Sequence, residues 1–254
     1  MDNTKSSIKS RLIVVILVVA AWVYSMFPLN NGDFFKYVEK EAAPFMPNTE
    51  INNDEYLLED IIKDRVLFLS NYQNKKYADT YINLVNKTIA TEKKLNNNKD
   101  DLAKAVAKYL SKLMAYKDEY EVARLYTNGE FKEKLNNAFE GKLKLKFHVA
   151  PPLFAPKDPN TGKLKKITIG SWILPVFKVL SKLKFLRGTI LDPVGKTKER
   201  KMERFLISQY KEDIDKILQE VNSKNISLAV QIASIPEMIR GYGHVKEEHM
   251  KKAS

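Results

Sequence analysis

Four charged residues in the stretch Leu113–Tyr126 have the types and spacing of an ionic network. Lys117, Asp118 and Glu119 are consecutive, and Arg124 follows Asp118 by six residues. Apolar residues recur around them with the period of a helix. The charged residues therefore lie beside a stripe of side chains that is predicted to be buried. Such a helix usually docks against a polar surface, of its own chain or of a partner. The preferred interpretation is a structural network between domains, because buried ion pairs often fix register rather than add stability.

His148 is the histidine best placed for acid–base chemistry. It lies on the polar side of a predicted strand, next to Lys146 and before a diproline. A neutral imidazole there is a candidate proton donor or acceptor, and the alternative is a hydrogen bond to a neighbouring loop. His244 and His249 are five residues apart, whereas ligands on one helix face are three or four apart. The sequence therefore predicts no metal site.

A second group of residues has the chemistry of an anion-binding site. The planar fork of arginine suits bidentate contacts with phosphate. The candidates are Arg187, Lys198, Arg200 and Arg204. CoA is one candidate ligand, although the chain has no glycine-rich phosphate loop. Asp192 lies in the same loop as Arg187 and joins Lys117, Asp118, Glu119, Arg124 and His148 as a candidate for the ionic network or an interface.

The charge of the chain is strongly basic and unevenly distributed. The 254 residues carry a net charge of +12, and the segment Lys163–Arg204 contains twelve Lys or Arg against three acids. A basic stripe attracts phosphates, acidic lipid, nucleic acid or an acidic protein face; the alternative is a well-solvated surface. The chain has no cysteine, which excludes disulfides, cysteine-ligated iron–sulfur clusters and thiolate zinc sites within it.

The run Leu12–Leu29 is a candidate membrane anchor. No charge interrupts it, Lys5, Lys9 and Arg11 precede it, and Trp22 lies near its far end. Its length is near the lower limit for a helix that spans a bilayer. The alternatives are a buried strand or core helix. We therefore expect a cytoplasmic domain that is membrane-associated if this run inserts.

The remaining pattern predicts a mainly α (α+β) chain: a multi-helix domain with a short two-stranded β-hairpin near residues 143–170. Helical periodicity runs from Val106 to Ala123, and Thr197 is predicted to cap a long helix that ends at Val221. The expected organisation is an apolar segment with a linker over 1–55, an accessory domain over 56–246 and a tail over 247–254.

Several short motifs in a fixed order carry a family resemblance. They comprise the opening stretch Leu113–Tyr126, then Phe139-Glu-Gly, Phe147-His-Val-Ala-Pro-Pro-Leu, Lys157-Asp-Pro-Asn-Thr-Gly, Leu183-Lys-Phe-Leu-Arg-Gly-Thr-Ile-Leu-Asp-Pro, Thr197-Lys-Glu-Arg and Ile239-Arg-Gly-Tyr-Gly-His-Val-Lys. From Leu58 to about Lys246 the chain resembles the C-terminal domain of unknown function of long-form indolepyruvate ferredoxin oxidoreductases.

The resemblance implies an accessory role. Enzymes of that family oxidatively decarboxylate arylpyruvates to acyl-CoA with thiamine diphosphate, iron–sulfur clusters, CoA and ferredoxin, and their catalytic parts lie upstream of this domain. This chain has no Gly-Asp-Gly thiamine motif and no cysteine, and its first ~55 residues depart from the family. We therefore expect no cofactor in this chain, no catalysis by it alone, and a partner in the catalytic domains or subunit of an indolepyruvate oxidoreductase. The alternative is a basic module that binds an anionic surface or, less favoured, nucleic acid, because the aromatic–basic interleaving of a single-strand binder is absent.

Overall fold

The computed structural model describes residues 57–95, 99–139, 141, 144–149, 156, 165 and 167–239. Within them the chain is mainly helical, with one antiparallel sheet of two strands, which confirms the predicted class. The helices are α1 (Leu58–Tyr72), α2 (Lys75–Lys94), α3 (Asp101–Met114), α4 (Glu119–Thr127), α5 (Glu130–Ala138), α6 (Leu174–Lys182), α7 (Lys198–Glu220) and α8 (Ile226–Ala233), with single 3-10 turns at Ser171–Ile173, Leu183–Leu186 and Ile235–Met238. The apolar run 12–29 and the tail lie outside the described residues.

The predicted hairpin is present. Strands β1 (Lys146–Val149) and β2 (Ile167–Gly170) pair antiparallel, with Phe147 opposite Ile169 and His148 opposite Thr168. Side chains alternate between the two faces of a strand, and accordingly Phe147 is buried whereas Lys146 and His148 are exposed. The apolar–polar alternation in the sequence therefore assigned the two faces of β1 correctly.

The described chain divides into two compact units. The first contains the described parts of 57–71, 75–115 and 203–239, and the second contains 72–74 and 116–202. The fully buried side chains of the first unit include Leu69, Tyr81, Leu102, Leu110 and Ile214, which come from α1, α2, α3 and α7.

Helix α3 in the first unit is capped from another helix. Its N-cap residue, Asp100, makes no side-chain hydrogen bond to the helix. Instead the buried carboxylate of Glu92, on α2, accepts the backbone N–H groups of Leu102 at 3.0 Å and Ala103 at 2.9 Å. Because the first N–H groups of a helix have no partner within it, and a negative charge is favoured at that end, Glu92 stabilises the start of α3.

The second unit contains an aromatic core. Tyr126 lies with its ring centroid 5.0 Å from those of Phe131 and Phe147 and 5.8 Å from that of Phe177. Edge-to-face and offset arrangements of this kind add to the stabilisation from burial. Ala123 and Ile173 complete the buried cluster, so helix α4, strand β1 and helix α6 pack on one another through it.

The predicted continuous helix from Val106 to Ala123 is wrong, because the chain leaves helical geometry from Ala115 to Asp118. Asp118 has extended backbone dihedrals and its side chain accepts the backbone N–H of Glu121 at 2.8 Å, which starts α4. Aspartate is among the preferred N-cap residues because its carboxylate satisfies an N–H group that has no helical partner. The predicted cap at Thr197 is confirmed: its hydroxyl accepts the N–H of Arg200 at the start of α7.

A half-buried aspartate on α7, Asp213, makes the stability of the first unit depend on pH. Burial raises the pKa of Asp213 to about 6, although the hydrogen bond from Gln209 and the charge of Lys216 oppose the shift. Since the folded chain holds this proton more tightly than the unfolded chain, the contribution of Asp213 to stability is greatest at low pH and is lost as pH rises from about 4 to about 6.

We therefore expect Asp213→Asn to raise the free energy of unfolding by about 1–2 kcal/mol at about pH 7.5, with most of the gain gone near pH 4. Asparagine retains an oxygen that can accept the Gln209 N–H. Urea unfolding at the two pH values measures the difference in the free energy of unfolding between variant and wild type. Glu212→Gln is the matched control, because Glu212 is exposed. An equal gain at both pH values would contradict the assignment to this carboxyl.

Candidate functional site

The second unit contains a buried ion pair between Arg187 and Asp118. The Nη2 of Arg187 donates to Oδ1 of Asp118 at 2.8 Å, and its Nε donates to Oδ2 of the same carboxylate. The side chains are 3% and 2% exposed, so the bidentate contact is almost free of water. Charge-assisted pairs of this geometry are stronger than neutral hydrogen bonds, and the pair joins the start of α4 to the residue that follows the 3-10 turn Leu183–Leu186.

Other groups of the second unit surround the same guanidinium. The Nη1 of Arg187 donates to the backbone carbonyl of Tyr72 at 2.7 Å and to the side-chain oxygen of Gln73 at 2.9 Å. The ring of Tyr72 lies 3.7 Å from the guanidinium carbon, in cation–π contact. Burial by itself lowers the pKa of Arg187, but the hydrogen bonds and charge of Asp118 raise it above the ordinary value. Arg187 is therefore a permanently charged structural residue.

Asp192 organises the loop that follows. Its carboxylate accepts the backbone N–H groups of Gly188 at 2.8 Å, Val194 at 3.2 Å and Gly195 at 2.9 Å, and the hydroxyl of Tyr120 at 3.0 Å. Burial, and then the hydrogen bond to Asp192, raise the pKa of Tyr120, which thus remains a donor.

The sequence of this loop fits its geometry. Gly188 adopts a positive φ of 74°, which glycine accepts more readily than other residues. A Cβ added at Gly195 would lie only 2.1 Å from Oδ2 of Asp192. The loop is therefore closed on the Asp192 carboxylate and leaves no space for a side chain at position 195.

The predicted ionic network is divided in the structure. Asp118 pairs with Arg187, while Arg124 pairs with Glu121 at 2.8 Å, a residue that the sequence analysis did not select. Glu119 lies 3.7 Å from Arg200, and burial raises the pKa of Glu119 against the opposing charge of Arg200. Lys117 is exposed, and His148 is on the hairpin, where its Nδ1 is 3.0 Å from the hydroxyl of Thr168.

The predicted anion-binding residues do not converge on one exposed site in the second unit. Arg187 and Arg200 are buried, with 6% and 7% exposure, and their guanidinium groups face Asp118 and Glu119. Lys198 is exposed on the first turn of α7, whereas Arg204 is assigned to the first unit. The anion-binding role of Lys198 and Arg204 stays a prediction.

An open apolar groove runs along α1 in the first unit. It is lined by Glu59, Ile62, Lys63, Val66, Leu67 and Ser70. Spacings of three and four residues place these side chains on one side of the helix. Leu67 is 64% exposed there, and the surface of the groove is almost entirely apolar. Nothing in the local sequence pattern distinguishes this exposed side of α1 from a buried one.

A second exposed apolar surface belongs to the second unit. Trp172 is 69% exposed, Val176 50% and Val179 61%, and they follow one another at spacings of four and three residues along α6 and the turn before it. In the loop closed by Asp192, Ile190 is 89% exposed and Leu191 75%. The signal in the sequence was the Ile-Leu pair inside a turn-forming loop, where apolar side chains have no helix or strand to bury them.

Within the described ranges, no group of three or more His, Asp or Glu side chains could hold a metal ion. In the same part of the chain, no helix is both long and apolar enough to cross a bilayer.

The comparison with protein families gives one match. The model of a family described as a family of unknown function, DUF6537, matches residues 58–254. This range starts at the first residue of α1 and includes both units as far as the structure describes them. Neither a curated protein nor a solved structure matches the chain.

Proposed function

The chain belongs to the DUF6537 family of unknown function, and from this premise we propose that it is an accessory domain of an indolepyruvate ferredoxin oxidoreductase. In this proposal it does not catalyse alone. It packs on the catalytic domains or on a separate catalytic subunit, which oxidatively decarboxylates arylpyruvates with thiamine diphosphate. The family-like motifs from Leu113 to Lys246 are one support, and the groove on α1 is the observation that carries the docking role.

The α1 groove fits a protein partner because of its composition. Ile62, Val66 and Leu67 present apolar surface, and Glu59 and Lys63 border it with charges of both signs. An apolar centre with a polar rim is the usual anatomy of a protein interface, and exposed apolar patches of monomers commonly mark such sites. In the proteins that the chain resembles, the catalytic parts precede this domain, so α1 is the described helix nearest to them in sequence.

The interior of the second unit supports a structural role. The side chains of Arg187, Asp118 and Asp192 are buried, and the hydrogen bonds described above join them to groups of the same unit. Charges used in this way hold loops and helix ends in place, and they leave the carboxylates without access to a substrate. The second unit then serves as a rigid body for surfaces that contact other molecules.

The cofactors of the proposed enzyme would be held elsewhere. Iron–sulfur clusters require cysteine ligands as a rule, and this chain has none, so its residues do not fit a cluster. No step of the reaction is therefore assigned to this chain, and thiamine diphosphate, CoA and the clusters belong to the catalytic partner.

Affinity purification of the tagged chain from its native cell tests the proposal. We expect mass spectrometry to identify a thiamine diphosphate-dependent oxidoreductase subunit in the purified material. Leu67→Glu places a charge in the α1 groove and should lower the recovery of that subunit about tenfold or more, because burial of a leucine contributes about 1.5–3 kcal/mol.

Phe205→Glu is the matched control, since Phe205 is an exposed apolar residue of the same unit on α7, 49% exposed. It should leave the recovery unchanged. Circular dichroism of both variants checks that they fold. Absence of a thiamine-dependent subunit with the wild-type chain would contradict the proposal, and equal loss with both variants would contradict the assignment to α1.

A further inference from the structure

The charge pattern around α6 is one-sided. Between Lys163 and Leu191, 29 residues contain seven Lys or Arg and no Asp or Glu. We call residues 163–191 the acid-free segment; its described part includes β2, α6 and the start of the loop that ends at Asp192. A stretch of this composition creates a local positive potential that attracts an anionic surface.

Helix α6 and the 3-10 turn before it have an inner and an outer side. Ile173 and Phe177 face the aromatic core and are buried. Trp172, Val176 and Val179 lie on the outer side, and Lys178 and Lys182 are exposed beside them. Tryptophan and aliphatic residues next to lysine form the combination found on helices that lie in a membrane interface, where the indole favours the headgroup level.

The loop after α6 carries the most exposed apolar side chains of the segment. Ile190 and Leu191 protrude, and the hydrogen bonds of Asp192 to Gly188, Val194 and Gly195 fix the backbone on either side of them. A loop that is already ordered loses little conformational entropy when it binds. Two protruding aliphatic side chains on an ordered loop can thus insert into an apolar phase at little cost in conformational entropy.

The observations favour a lipid bilayer over a protein as the occupant. A protein partner would need a pocket for each protruding side chain, whereas a bilayer accepts them without a matching shape. Nucleic acid would attract Lys178 and Lys182 but would give Ile190 and Leu191 no apolar environment. Anionic headgroups complement the lysines, each of which adds to the attraction when it approaches such a surface.

We infer that the outer side of α6 and the loop 188–192 form a peripheral membrane-binding surface for anionic lipid. This inference goes beyond the docking of α1 on a catalytic partner and does not depend on it, because the two surfaces belong to different units. Such a surface would bring the proposed accessory domain to the face of a membrane, and this binding does not require a spanning helix.

Fluorescence of Trp172 tests the inference directly. The chain has two tryptophans, Trp22 and Trp172, so Trp22→Phe in the full chain leaves Trp172 as the single reporter. Vesicles with one phosphatidylglycerol for every two phosphatidylcholines should shift its emission to shorter wavelength, and bromine-labelled acyl chains should quench it. Vesicles of phosphatidylcholine alone should do neither, and added salt should weaken the effect.

Variants in the same background separate the two contributions. The double change Ile190→Ser with Leu191→Ser should weaken vesicle binding about tenfold or more through lost apolar burial, and Lys178→Glu with Lys182→Glu should weaken it to a similar degree through charge reversal. Phe205→Ser on α7 and the pair Lys75→Glu with Lys76→Glu are the matched controls, since all three residues are exposed in the first unit. They should bind as the parent does.

Three outcomes would overturn the inference. The first is vesicle binding without any change in Trp172 emission, which would assign binding to another part of the chain, such as 12–29. The second is no binding to anionic vesicles while Trp172 responds to an acidic protein. The third is binding that the lysine changes weaken but the Ile190 and Leu191 changes do not. Failure of this inference can be distinguished from failure of the α1 proposal. Recovery of the thiamine-dependent subunit does not require Ile190 or Leu191, so the serine variants should still recover it.

Discussion

Replacing Arg187 with methionine should lower the free energy of unfolding by about 3–5 kcal/mol, the largest effect we expect from one substitution in this chain. Methionine fills part of the same volume but leaves the Asp118 carboxylate, 2% exposed, without its counter-charge. It also removes the donors to the carbonyl of Tyr72 and to Gln73. Urea unfolding followed by circular dichroism measures the loss.

A double-mutant cycle isolates the ion pair from the packing of Arg187. Asp118→Asn retains an oxygen that can cap Glu121 but removes the buried charge, so the double variant should be more stable than the sum of the single losses predicts. Arg65→Met is the matched control, because its pair with Asp64 has side chains that are 44% and 68% exposed, and exposed pairs contribute about 0–1 kcal/mol. Strictly additive losses would contradict the account of a coupled buried pair.

Replacing Asp192 with alanine should cost about 2–4 kcal/mol, the second largest effect, because four donors, most of them buried, lose their acceptor together. These donors are the hydroxyl of Tyr120 and the backbone N–H groups of Gly188, Val194 and Gly195. Hydrogen exchange should accelerate at the N–H of Gly195 and its neighbours before global unfolding, while amides of α3 in the first unit keep their protection.

Asp192→Asn is the graded control for this loop. Its side-chain oxygen can keep the acceptor site used by Tyr120 and Gly195, but its NH2 group cannot accept the N–H of Gly188. We therefore expect a loss between those of the wild type and the alanine variant. A loss in Asp192→Asn as large as in Asp192→Ala would mean that the negative charge, rather than the number of accepted hydrogen bonds, holds the loop.

The sequence contained the members of the buried network but not their pairing. Spacing groups Asp118 with its neighbours in sequence, and the chemistry of arginine predicts an anion site at Arg187, yet the two are 69 residues apart and bind each other. Periodicity and charge spacing describe contacts within one helix, whereas pairs between distant elements depend on how those elements pack. Tyr72 was missed as an arginine partner for the same reason.

Three features can be read from the local sequence, of which two are among the predictions above. Asp118 followed three residues later by Glu121 is an N-cap signal, and it would have divided the helix predicted from Val106 to Ala123. The alternation around Phe147 and the cap at Thr197 were used, and both elements are present. Local sequence patterns thus determined these features. The exposed apolar side of α1 and of α6 could not be predicted in this way, since exposure on a helix depends on what the rest of the chain leaves uncovered.

In the role proposed above, this chain serves an arylpyruvate oxidoreductase without catalysing its reaction. The most direct measurement supplies indolepyruvate, CoA, thiamine diphosphate and a viologen dye to the purified chain, and separately to the complex recovered with it from the native cell. We expect dye reduction by the complex and none by the chain alone, because the chain has no cysteine for the clusters that carry the electrons. Dye reduction by the purified chain alone, or an inactive complex that retains its own cofactors, would contradict the account.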